Sequence, residues 1–476
     1  MISTALNFPV WDLNGINGGL LIAVIAVIHV FVAQFAVGGG FFLVLAERLG
    51  HKRGSDRILH WVHRHTSFFL LLTMVFGGLT GVGIWLVISL VSPGGTSLLI
   101  REFVYAWAAE WVFFLAEIIT LLVYAASFKR TRDKAMHPKD HMILGWAYGV
   151  FAFLSLFIIN GIISFMLTPG GWLTTGSFWA AFFNPTFWPS LIFRFGLSLS
   201  LAGMFGLITA TGIHHAETRE ETVRFCAQWI CLPFILMVGG AVWYGMALPE
   251  PVRELVQRNT DDIRPFIRAF LDSAPVLFLA GMFLFIKLPQ RAYRPYVVAV
   301  LLLGLATAGS FEWVRETARR PWLVHGFMYS NGITVEDGKR MNKEGVLAVS
   351  GWAQLRAFAG ETPQTAGDND GEKRPLDASA PNAVSPNAIA LDAATLDGAQ
   401  QARFGRFLFT QQCSNCHGLG APMLDIKPRV RGRGETGVDA LLAAQGLINP
   451  YMPPFFGTET ERKILARWLA SLEKAE

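Results

Sequence analysis

The chain of 476 residues is unusually apolar: 52% of its residues are hydrophobic, 16% are charged, and the mean hydropathy is +0.40. This balance is rare in soluble domains of such size, so the composition predicts a membrane protein. The formal charge of +5 comes from basic residues in short turns between apolar runs, which is typical of membrane topology, and we expect no nucleic-acid binding.

Eight apolar runs are long enough to cross ~30 Å of hydrocarbon as helices. They lie near 18–46, 66–92, 103–127, 142–167, 188–213, 224–247, 270–288 and 295–313. The N-terminus lacks a basic region and a small-residue cleavage site, so we expect the first run to be a retained span rather than a signal peptide. Since lipid leaves only helices able to satisfy the backbone of such runs, the predicted fold is an all-α polytopic bundle of about eight transmembrane helices.

The connections between the runs alternate in charge. Many Lys and Arg residues lie in ERLGHKRGSDR, SFKRTRDKAMHPKDH, HHAETREETVR and KLPQRAYRP, whereas VSPGGTS and TPGGWLTTGSFWAAFFNPTFWP carry none. The basic connections are expected to face the cytoplasm, although the outer connection at 248–269 departs from the pattern with four Arg. An even number of spans then places the chain after about Val314 outside the cytoplasm.

The chain beyond the eighth run divides by composition. A mixed stretch near 323–358 is expected to lie on the membrane surface, and residues 360–400, rich in Pro, Ala, Asn and Asp, are typical of a flexible linker. A compact domain begins near Ala402. We therefore predict a transmembrane domain over 1–325, a surface segment and linker over 326–400, and an extracytoplasmic domain over 401–476.

The last domain contains a haem-attachment signature. Cys413 and Cys416 are spaced so that each can form a thioether to a porphyrin, and His417 follows as an iron ligand. A zinc or redox site is the alternative interpretation of the two cysteines. Met452 is the predicted second axial ligand of this one covalent haem c, with Met423 as its competitor. Ligation by His and Met raises the potential of a haem.

The segment YMPPFFGTETERKILARWLASL, which contains Met452, resembles the end of small class I cytochromes c. Such a domain carries electrons one at a time. On a flexible tether it would sweep the membrane surface at high effective concentration near its partner.

Ionisable residues inside membrane spans are costly, so their default interpretation is functional. His29 stands alone in the first run and is either a structural residue or a haem ligand. Glu110 and Glu117, seven residues apart, share one face of the third run, which suggests ligation, proton transfer or both. Pairing of these carboxylates with an Arg of a neighbouring span is the alternative. Cys226 and Cys231 in the sixth run are expected to be packing residues.

The eighth run ends in SFEWVRETARRPWLVHGF. Its stretch from Glu316 to Trp322 resembles the Glu-x-Gly-Arg-Gln-Pro-Trp signature of subunit I of cytochrome bd quinol oxidases. The resemblance covers roughly residues 18–330 and eight of the nine spans usual in that family. It implies that His29 and Glu316 are ligands in a dihaem oxygen site and that Glu110 and Glu117 serve ligation and proton supply.

The same resemblance implies the surroundings of that site. Trp313 and Arg319 would lie beside the cofactors, which are one or two haems b and possibly a haem d. It also implies a second bd-like membrane subunit, contact with membrane lipid and a place in a bacterial plasma membrane, with the C-terminal domain on the periplasmic side.

The sequence departs from this family at the quinol side. In the bd family, a low-spin haem b beside the quinol site has a His from span five and a Met from span seven as ligands. This chain has Arg194 near the position of that His, and in span seven it has only Met282, which lies deeper. The quinol-binding loop is reduced to LPEPVRELVQRNTDDIRPF. We expect Arg194 to pair with a haem propionate or a Glu, or to reach the interface as a snorkelling side chain.

These features predict a cytochrome c-linked oxidase in which the terminal domain replaces the quinol entrance and exchanges electrons with a periplasmic cytochrome. The alternative is an electron conduit or membrane anchor that links quinone or a periplasmic redox complex to cytochrome c. In that case His65 with His141 or His214 would ligate a further haem. These three belong to a group of histidines at the cytoplasmic ends of the spans: His60, His63, His65, His137, His141, His214 and His215.

Overall fold

The computed structural model describes residues 8–13, 15–258, 260, 263–286, 294–358, 392–421 and 424–475. These residues are almost entirely helical, which confirms the all-α class. They fold as two compact units. The bundle unit comprises Ile25–Ile84 and Glu102–Arg319, and the terminal unit comprises the described residues of Met1–Val24, Trp85–Arg101 and Arg320–Glu476.

The helices up to the end of the bundle are α1 (Gly18–Arg53), α2 (Asp56–Leu71), α3 (Gly78–Val91), α4 (Pro93–Glu102), α5 (Val104–Arg132), α6 (Pro138–Leu167), α7 (Trp172–Thr175), α8 (Phe178–Phe182), α9 (Phe187–Ala210), α10 (Ala216–Cys231), α11 (Phe234–Ala247), α12 (Glu250–Gln257), α13 (Arg264–Ile286) and α14 (Arg294–Arg319). A π-helical turn, Leu72–Gly77, joins α2 to α3.

The terminal unit continues with strands β1 (Trp322–Val324) and β2 (Met328–Tyr329), which pair antiparallel. Its helices are α15 (Val335–Glu344), α16 (Val346–Val349), α17 (Gly351–Ala357), α18 (Gly398–Gln412), α19 (Lys427–Val430), α20 (Gly434–Ile448) and α21 (Glu459–Ser471). Short 3₁₀ turns lie at Ala393–Thr395 and Leu472–Ala475.

In the described part of the chain, eight helical stretches are long and apolar enough to cross a membrane, which confirms the predicted number of spans. Spans one to eight are α1, α2 with α3, α5, α6, α9, α10 with α11, α13 and α14. Span six is interrupted at Pro233, which has no N–H to continue the hydrogen-bond ladder. Pro233 lies directly before α11 as its N-cap residue. Several spans extend past the predicted apolar runs into the basic connections, as α1 does to Arg53.

Two histidines of the basic connections cap helices. The His137 side chain accepts a hydrogen bond from the Lys139 amide at the start of α6, and the His215 side chain accepts one from the Thr218 amide at the start of α10. The first N–H groups of a helix lack intrahelical partners, so a side-chain acceptor stabilises the helix start. Both residues therefore have a structural role.

Span five is the centre of the bundle unit: 78% of its apolar window is buried, compared with 11–22% for spans one, two and three. A close approach occurs at Gly206, where a Cβ would lie 2.4 Å from Phe42 and 2.9 Å from the Cys226 sulfur. Cys226 is thus a packing residue, as expected, and both Cys226 and Cys231 are buried free thiols.

The terminal unit has one hydrophobic core. Helices α18, α20 and α21 contribute Phe404, Leu408, Leu442 and Leu465, and the stretch predicted to lie on the membrane surface contributes Ile333, Met341, Val346 and Leu347. Residues on both sides of the predicted boundary at 401 therefore share a core. The predicted linker lies outside the described residues up to 391, and its end forms a short turn and the first residues of α18.

A buried carboxylate ties these two parts together. Glu461, 1% exposed, accepts hydrogen bonds from the amides of Val346 at 2.9 Å and Leu347 at 2.8 Å, and from its own helix cap at Thr458. Burial raises the pKa of Glu461, and the same hydrogen bonds oppose that rise. Glu461 thus satisfies the otherwise unpaired start of the four-residue helix α16.

Replacement of Glu461 by Gln is expected to destabilise the terminal unit by about 2 kcal/mol, because the Gln amide has one acceptor oxygen, whereas Glu461 uses both carboxylate oxygens to accept from three backbone amides. The measurement is the urea midpoint of C-terminal cleavage in limited proteolysis of the full-length protein. Glu459→Gln, on the exposed face of the same helix, is the control and should leave the midpoint unchanged. Equal midpoints for both variants would contradict the assignment.

Candidate functional site

The haem-attachment signature forms a turn at the end of α18. The Cys413 amide donates to the Phe409 carbonyl at 2.8 Å, and the amides of Cys416 and His417 both donate to the Cys413 carbonyl, at 3.0 and 2.8 Å. These bonds fold the five residues tightly back on the helix end. The signature that the sequence predicts is therefore a preformed local structure.

His417 has the protonation state that an iron ligand needs. Its Nδ1 lies 3.0 Å from the Leu424 carbonyl, and because a carbonyl can only accept, Nδ1 carries the hydrogen and Nε2 keeps its lone pair. Burial, with further effects from Arg429 and Arg320, lowers the pKa of His417 and favours the neutral ring, although the Leu424 hydrogen bond opposes this shift. His417 fits the role of haem ligand.

The surroundings of Cys413 disfavour the thiolate form that zinc and redox sites use. Burial raises the pKa of Cys413 to about 12, whereas metal-binding and redox cysteines are usually thiolates with a lowered pKa. Both residues are free thiols. No group of three or more His, Cys, Asp or Glu suited to a metal ion occurs in the part of the chain that the structure describes.

Met452 lies in the same unit, on a segment tied to the haem-attachment turn. The Gln412 side chain donates to the Phe456 carbonyl at 2.6 Å and accepts from the Phe456 amide at 3.0 Å. Gln445 holds the same segment through the Pro453 carbonyl at 2.8 Å. These bonds link the residue before Cys413 to the segment that carries Met452. The competing candidate, Met423, lies outside the described residues.

The haem-attachment turn is bound to the start of α1. The amides of Gly18 and Gly19 donate to the carbonyls of Ser414 and Asn415 at 2.9 and 2.8 Å, and the Leu419 amide donates to the Gly15 carbonyl at 2.8 Å. The first amides of α1 need such external acceptors. At Gly15, with φ of +103°, a Cβ would lie 2.7 Å from the Leu419 oxygen, so glycine is required there.

A side-chain pair adds to this attachment, since Arg406 of α18 lies 2.7 Å from Asp12. These contacts hold the turn to residues 12–19 within the same unit, and the expectation of a domain that sweeps the membrane surface stays a prediction. The turn is held through backbone hydrogen bonds, since its carbonyls accept from the first amides of α1, which lack intrahelical acceptors.

In the bundle unit, His29 has one ring nitrogen engaged. Its Nδ1 lies 3.1 Å from the Thr80 hydroxyl, and that hydroxyl donates to the Phe76 carbonyl at 2.5 Å. Because the hydroxyl hydrogen is used, Thr80 accepts from Nδ1–H, and Nε2 of His29 keeps its lone pair. His29 thus has the tautomer that a metal-ligating histidine requires.

Glu110 and Glu117 lie on one face of α5, and Glu117 is buried and accepts a hydrogen bond from Tyr148 of α6 at 3.2 Å. Within the described ranges, neither carboxylate forms an ion pair with an arginine. The described structure therefore differs from the alternative in which Glu110 and Glu117 form ion pairs with an Arg of a neighbouring span.

Arg194 joins a row of alternating charges between spans five and eight. It is 4% exposed and lies 2.9 Å from Glu312, which also binds Arg315 at 2.8 Å. Arg315 then contacts Glu316 at 3.1 Å, and Glu316 contacts Arg319 through its other oxygen. Of the two partners expected for Arg194, a haem propionate or a glutamate, the structure shows a glutamate, Glu312. Arg194 is buried, which excludes a snorkelling side chain.

The row contains two residues that the sequence analysis missed, Glu312 and Arg315. Their signal was the spacing of charges at 312, 315, 316 and 319, which places them on one helix face. Both carboxylate oxygens of Glu316 face arginines, so ligation of iron by Glu316 requires that one of these ion pairs be shared or broken. Trp313 stacks on Phe266 with ring centroids 4.7 Å apart.

The histidines of the conduit hypothesis are engaged to different degrees. His141 uses both ring nitrogens, bonding Glu47 at 2.8 Å and the Tyr124 carbonyl at 3.0 Å. Nδ1 of His65 lies 2.9 Å from the Thr209 hydroxyl, whereas its buried Nε2 has no hydrogen-bond partner among the described residues, so His65 keeps a nitrogen that could hold a haem iron. His214 is exposed. The cluster of Glu47, Tyr124 and His141 was also missed, since only His141 stood out in the sequence.

No protein-family model and no curated protein matches this chain. Among solved structures, the chain is similar to the bd oxidase from Geobacillus thermodenitrificans, with a TM-score of 0.57 and 16% sequence identity, over 69% of this chain and 94% of that chain. At this identity the likeness concerns the fold. It confirms the predicted resemblance of the membrane part to bd oxidases at the level of architecture.

Replacement of Glu312 by Leu should leave Arg194 buried without its carboxylate, a change that typically costs about 3–5 kcal/mol. We expect a lower thermal unfolding midpoint for the detergent-solubilised protein, measured by light scattering. The double variant R194L/E312L should recover part of the loss, because no buried charge of this pair is left alone. Additive effects of R194L and E312L would argue against the pairing, and Glu250→Leu at an exposed pair is the control.

Proposed function

We propose that this protein is a bd-type haem oxidase of the membrane that receives electrons through its own C-terminal cytochrome c domain. The observation that carries the proposal is the docked haem-attachment turn, in which His417 has a neutral ring with Nε2 available. The bd-oxidase-like fold and the tautomer of His29 support the membrane part of the proposal.

In the terminal unit, Cys413 and Cys416 would hold one haem c by thioethers, with His417 and Met452 as axial ligands. The bound haem would supply one-electron transfer at a potential raised by the Met ligand. Gln412 keeps the two ligand segments together through Phe456. The backbone bonds to Gly18 and Gly19 hold the turn against the start of α1.

In the membrane, His29 would hold a haem iron through Nε2, and Glu110 and Glu316 are proposed as further ligands. One or two haems b, or a haem d, would supply the reduction of oxygen when bound. Glu117, buried and hydrogen-bonded to Tyr148, is suited to pass protons toward Glu110 on the same helix face. Trp313 and Arg319 would shape the surroundings of this site.

The quinol side of the family is proposed to be lost. The Arg194–Glu312 ion pair occupies the bundle where spans five and eight meet, and among the described residues of the connection between spans six and seven the one helix is the short α12. Val252 of α12 packs into a small core with Leu167, Tyr244 and Ala318, which leaves this connection folded on the bundle. Electrons would instead come from a periplasmic cytochrome.

The proposed setting is a bacterial plasma membrane, with spans in contact with lipid, a bd-like second subunit as partner and the terminal unit outside the cytoplasm. Large apolar side chains are exposed along α5, among them Tyr105, Trp111 and Val112, which suits lipid or a membrane partner. Quinone is not needed as a direct donor in this scheme.

Replacement of Cys413 and Cys416 by Ala should abolish covalently bound haem, because the thioethers are the only covalent link proposed. The measurement is haem-dependent peroxidase staining after denaturing electrophoresis, with pyridine haemochrome spectra of the extracted pellet. Cys226→Ala is the matched control, since Cys226 is a buried packing thiol. Covalent haem that survives the double replacement, or its absence from the wild type, would refute the haem c assignment.

Replacement of His29 by Ala should abolish the shift that carbon monoxide causes in the dithionite-reduced spectrum of the extractable haem. An oxidase keeps an open iron position for gas, whereas conduit haems are normally six-coordinate. His65→Ala, another intramembrane histidine, should leave the shift intact. A wild-type spectrum without any shift would favour the conduit over the oxidase, whereas a shift lost only in His65→Ala would refute His29 as the ligand of the gas-binding haem.

A further inference from the structure

A second set of buried ionisable groups lies in the bundle unit, apart from the residues assigned above. Glu47 of α1 is 1% exposed and accepts a hydrogen bond from Tyr124 of α5 at 2.8 Å through one oxygen. Its other oxygen lies 2.8 Å from Nδ1 of His141 of α6, which has no exposed surface. Three spans therefore meet around one carboxylate.

The hydrogen bonds define where protons can be in this set. Nε2 of His141 lies 3.0 Å from the Tyr124 carbonyl, which can only accept, so Nε2 carries a hydrogen. The 2.8 Å contact between Nδ1 and Glu47 then needs one proton, held either by the ring as imidazolium or by the carboxyl. The pair thus holds one proton that can move between two atoms without a change in its neighbours.

The pair has a route to water. His51, one turn after Glu47 on α1, lies 3.3 Å from the same Glu47 oxygen, and its side chain is 27% exposed. It belongs to the basic last turn of α1 with Lys52 and Arg53, on the side predicted to be cytoplasmic. A proton can therefore pass from solvent to His51 and from His51 to Glu47.

The Glu47–His141 pair and the carboxylates proposed to conduct protons lie along the interface of the same two helices, α5 and α6. Tyr124, Glu117 and Glu110 recur at seven-residue intervals along α5, and Tyr148 follows His141 by the same interval on α6. Tyr148 donates to Glu117 at 3.2 Å. Seven residues correspond to about 10 Å of helix, so the two levels are stacked along the α5–α6 interface.

We propose that His51, Glu47 and His141 form the proton-accepting site at the cytoplasmic end of the bundle and supply the Tyr148–Glu117 level. The first steps each move one proton between existing nitrogen and oxygen atoms, from water to His51 and then to Glu47 and His141, with no other bond changed and no electron transferred. The last transfer, to Glu117 at the level about 10 Å away, would use water between the helices as the carrier. This role rests on the proposed function, because oxygen reduction is the reaction that consumes the protons.

A purely structural ion pair is the competing explanation. A fixed pair between helices would be expected to be closed to solvent, whereas here the surface residue His51 contacts the buried oxygen directly. Other titratable groups near the pair are Tyr124, which donates to Glu47, and His63 of α2, which is within electrostatic reach of His141. Because these groups can also respond to pH, a signal is assigned to the Glu47–His141 pair by comparing variants with the wild type.

The test uses the full-length protein in lipid vesicles and compares Glu47→Gln with wild type. Gln keeps the size of Glu47 but cannot carry an exchangeable acidic proton. We expect infrared pH-difference spectra to lose one carboxyl or imidazole signal, and proton uptake from the cytoplasmic side during reaction with oxygen to slow by about tenfold or more. The carbon monoxide spectrum should be unchanged.

Glu102→Gln is the matched control, because Glu102 accepts a hydrogen bond from Trp172 at 3.0 Å on the side predicted to face outward. It should alter neither measurement. If Glu47→Gln fails to fold, the surface variant His51→Gln takes its place and should also slow proton uptake.

The outcomes separate the two proposals. Unchanged proton uptake in Glu47→Gln, with a wild type that reduces oxygen, overturns the proton-accepting site and leaves the oxidase intact. A wild type that neither binds carbon monoxide nor consumes oxygen overturns the proposed function and removes the role of the site with it. An infrared signal that persists in Glu47→Gln overturns the assignment of the shared proton.

Discussion

Charged and polar groups inside a membrane bundle need partners from the protein itself, and this constraint governs the arrangement of the spans. The bundle meets it at three levels: the row of charges between spans five and eight, the Glu117–Tyr148 hydrogen bond, and Glu47 with His141. Each level joins different helices. The apolar surfaces hold the spans together generally, whereas these polar contacts select which helix faces which.

Helix α1 connects more of the proposed chemistry than any other described element. Its first amides bind the haem-attachment turn, His29 lies in its middle, and Glu47 and His51 lie near its end. A helix has no spare hydrogen bonds in its interior but leaves donors unpaired at its start. The start of α1 is therefore free to bind the haem-attachment turn through its first amides.

Much of the architecture could be predicted because it depends on local sequence. The eight spans follow from uninterrupted apolar length, and the haem-attachment turn follows from the spacing of Cys413, Cys416 and His417. The contacts of Arg194 with Glu312, and of Glu47 with His141, join residues far apart in the chain and depend on how the helices pack. The core contacts of residues 333–357 could not be predicted for a similar reason, since their apolar side chains are buried by α18, α20 and α21.

The bonds between Gly18 and Ser414 and between Gly19 and Asn415 join the two ends of the chain. The ribosome makes the first partner near the beginning of synthesis and the second only when most of the chain has been completed. Contacts of such long sequence separation form late. The start of α1 therefore gains these acceptors only after the residues around Ser414 have been synthesised, so this contact forms late in the assembly of the protein.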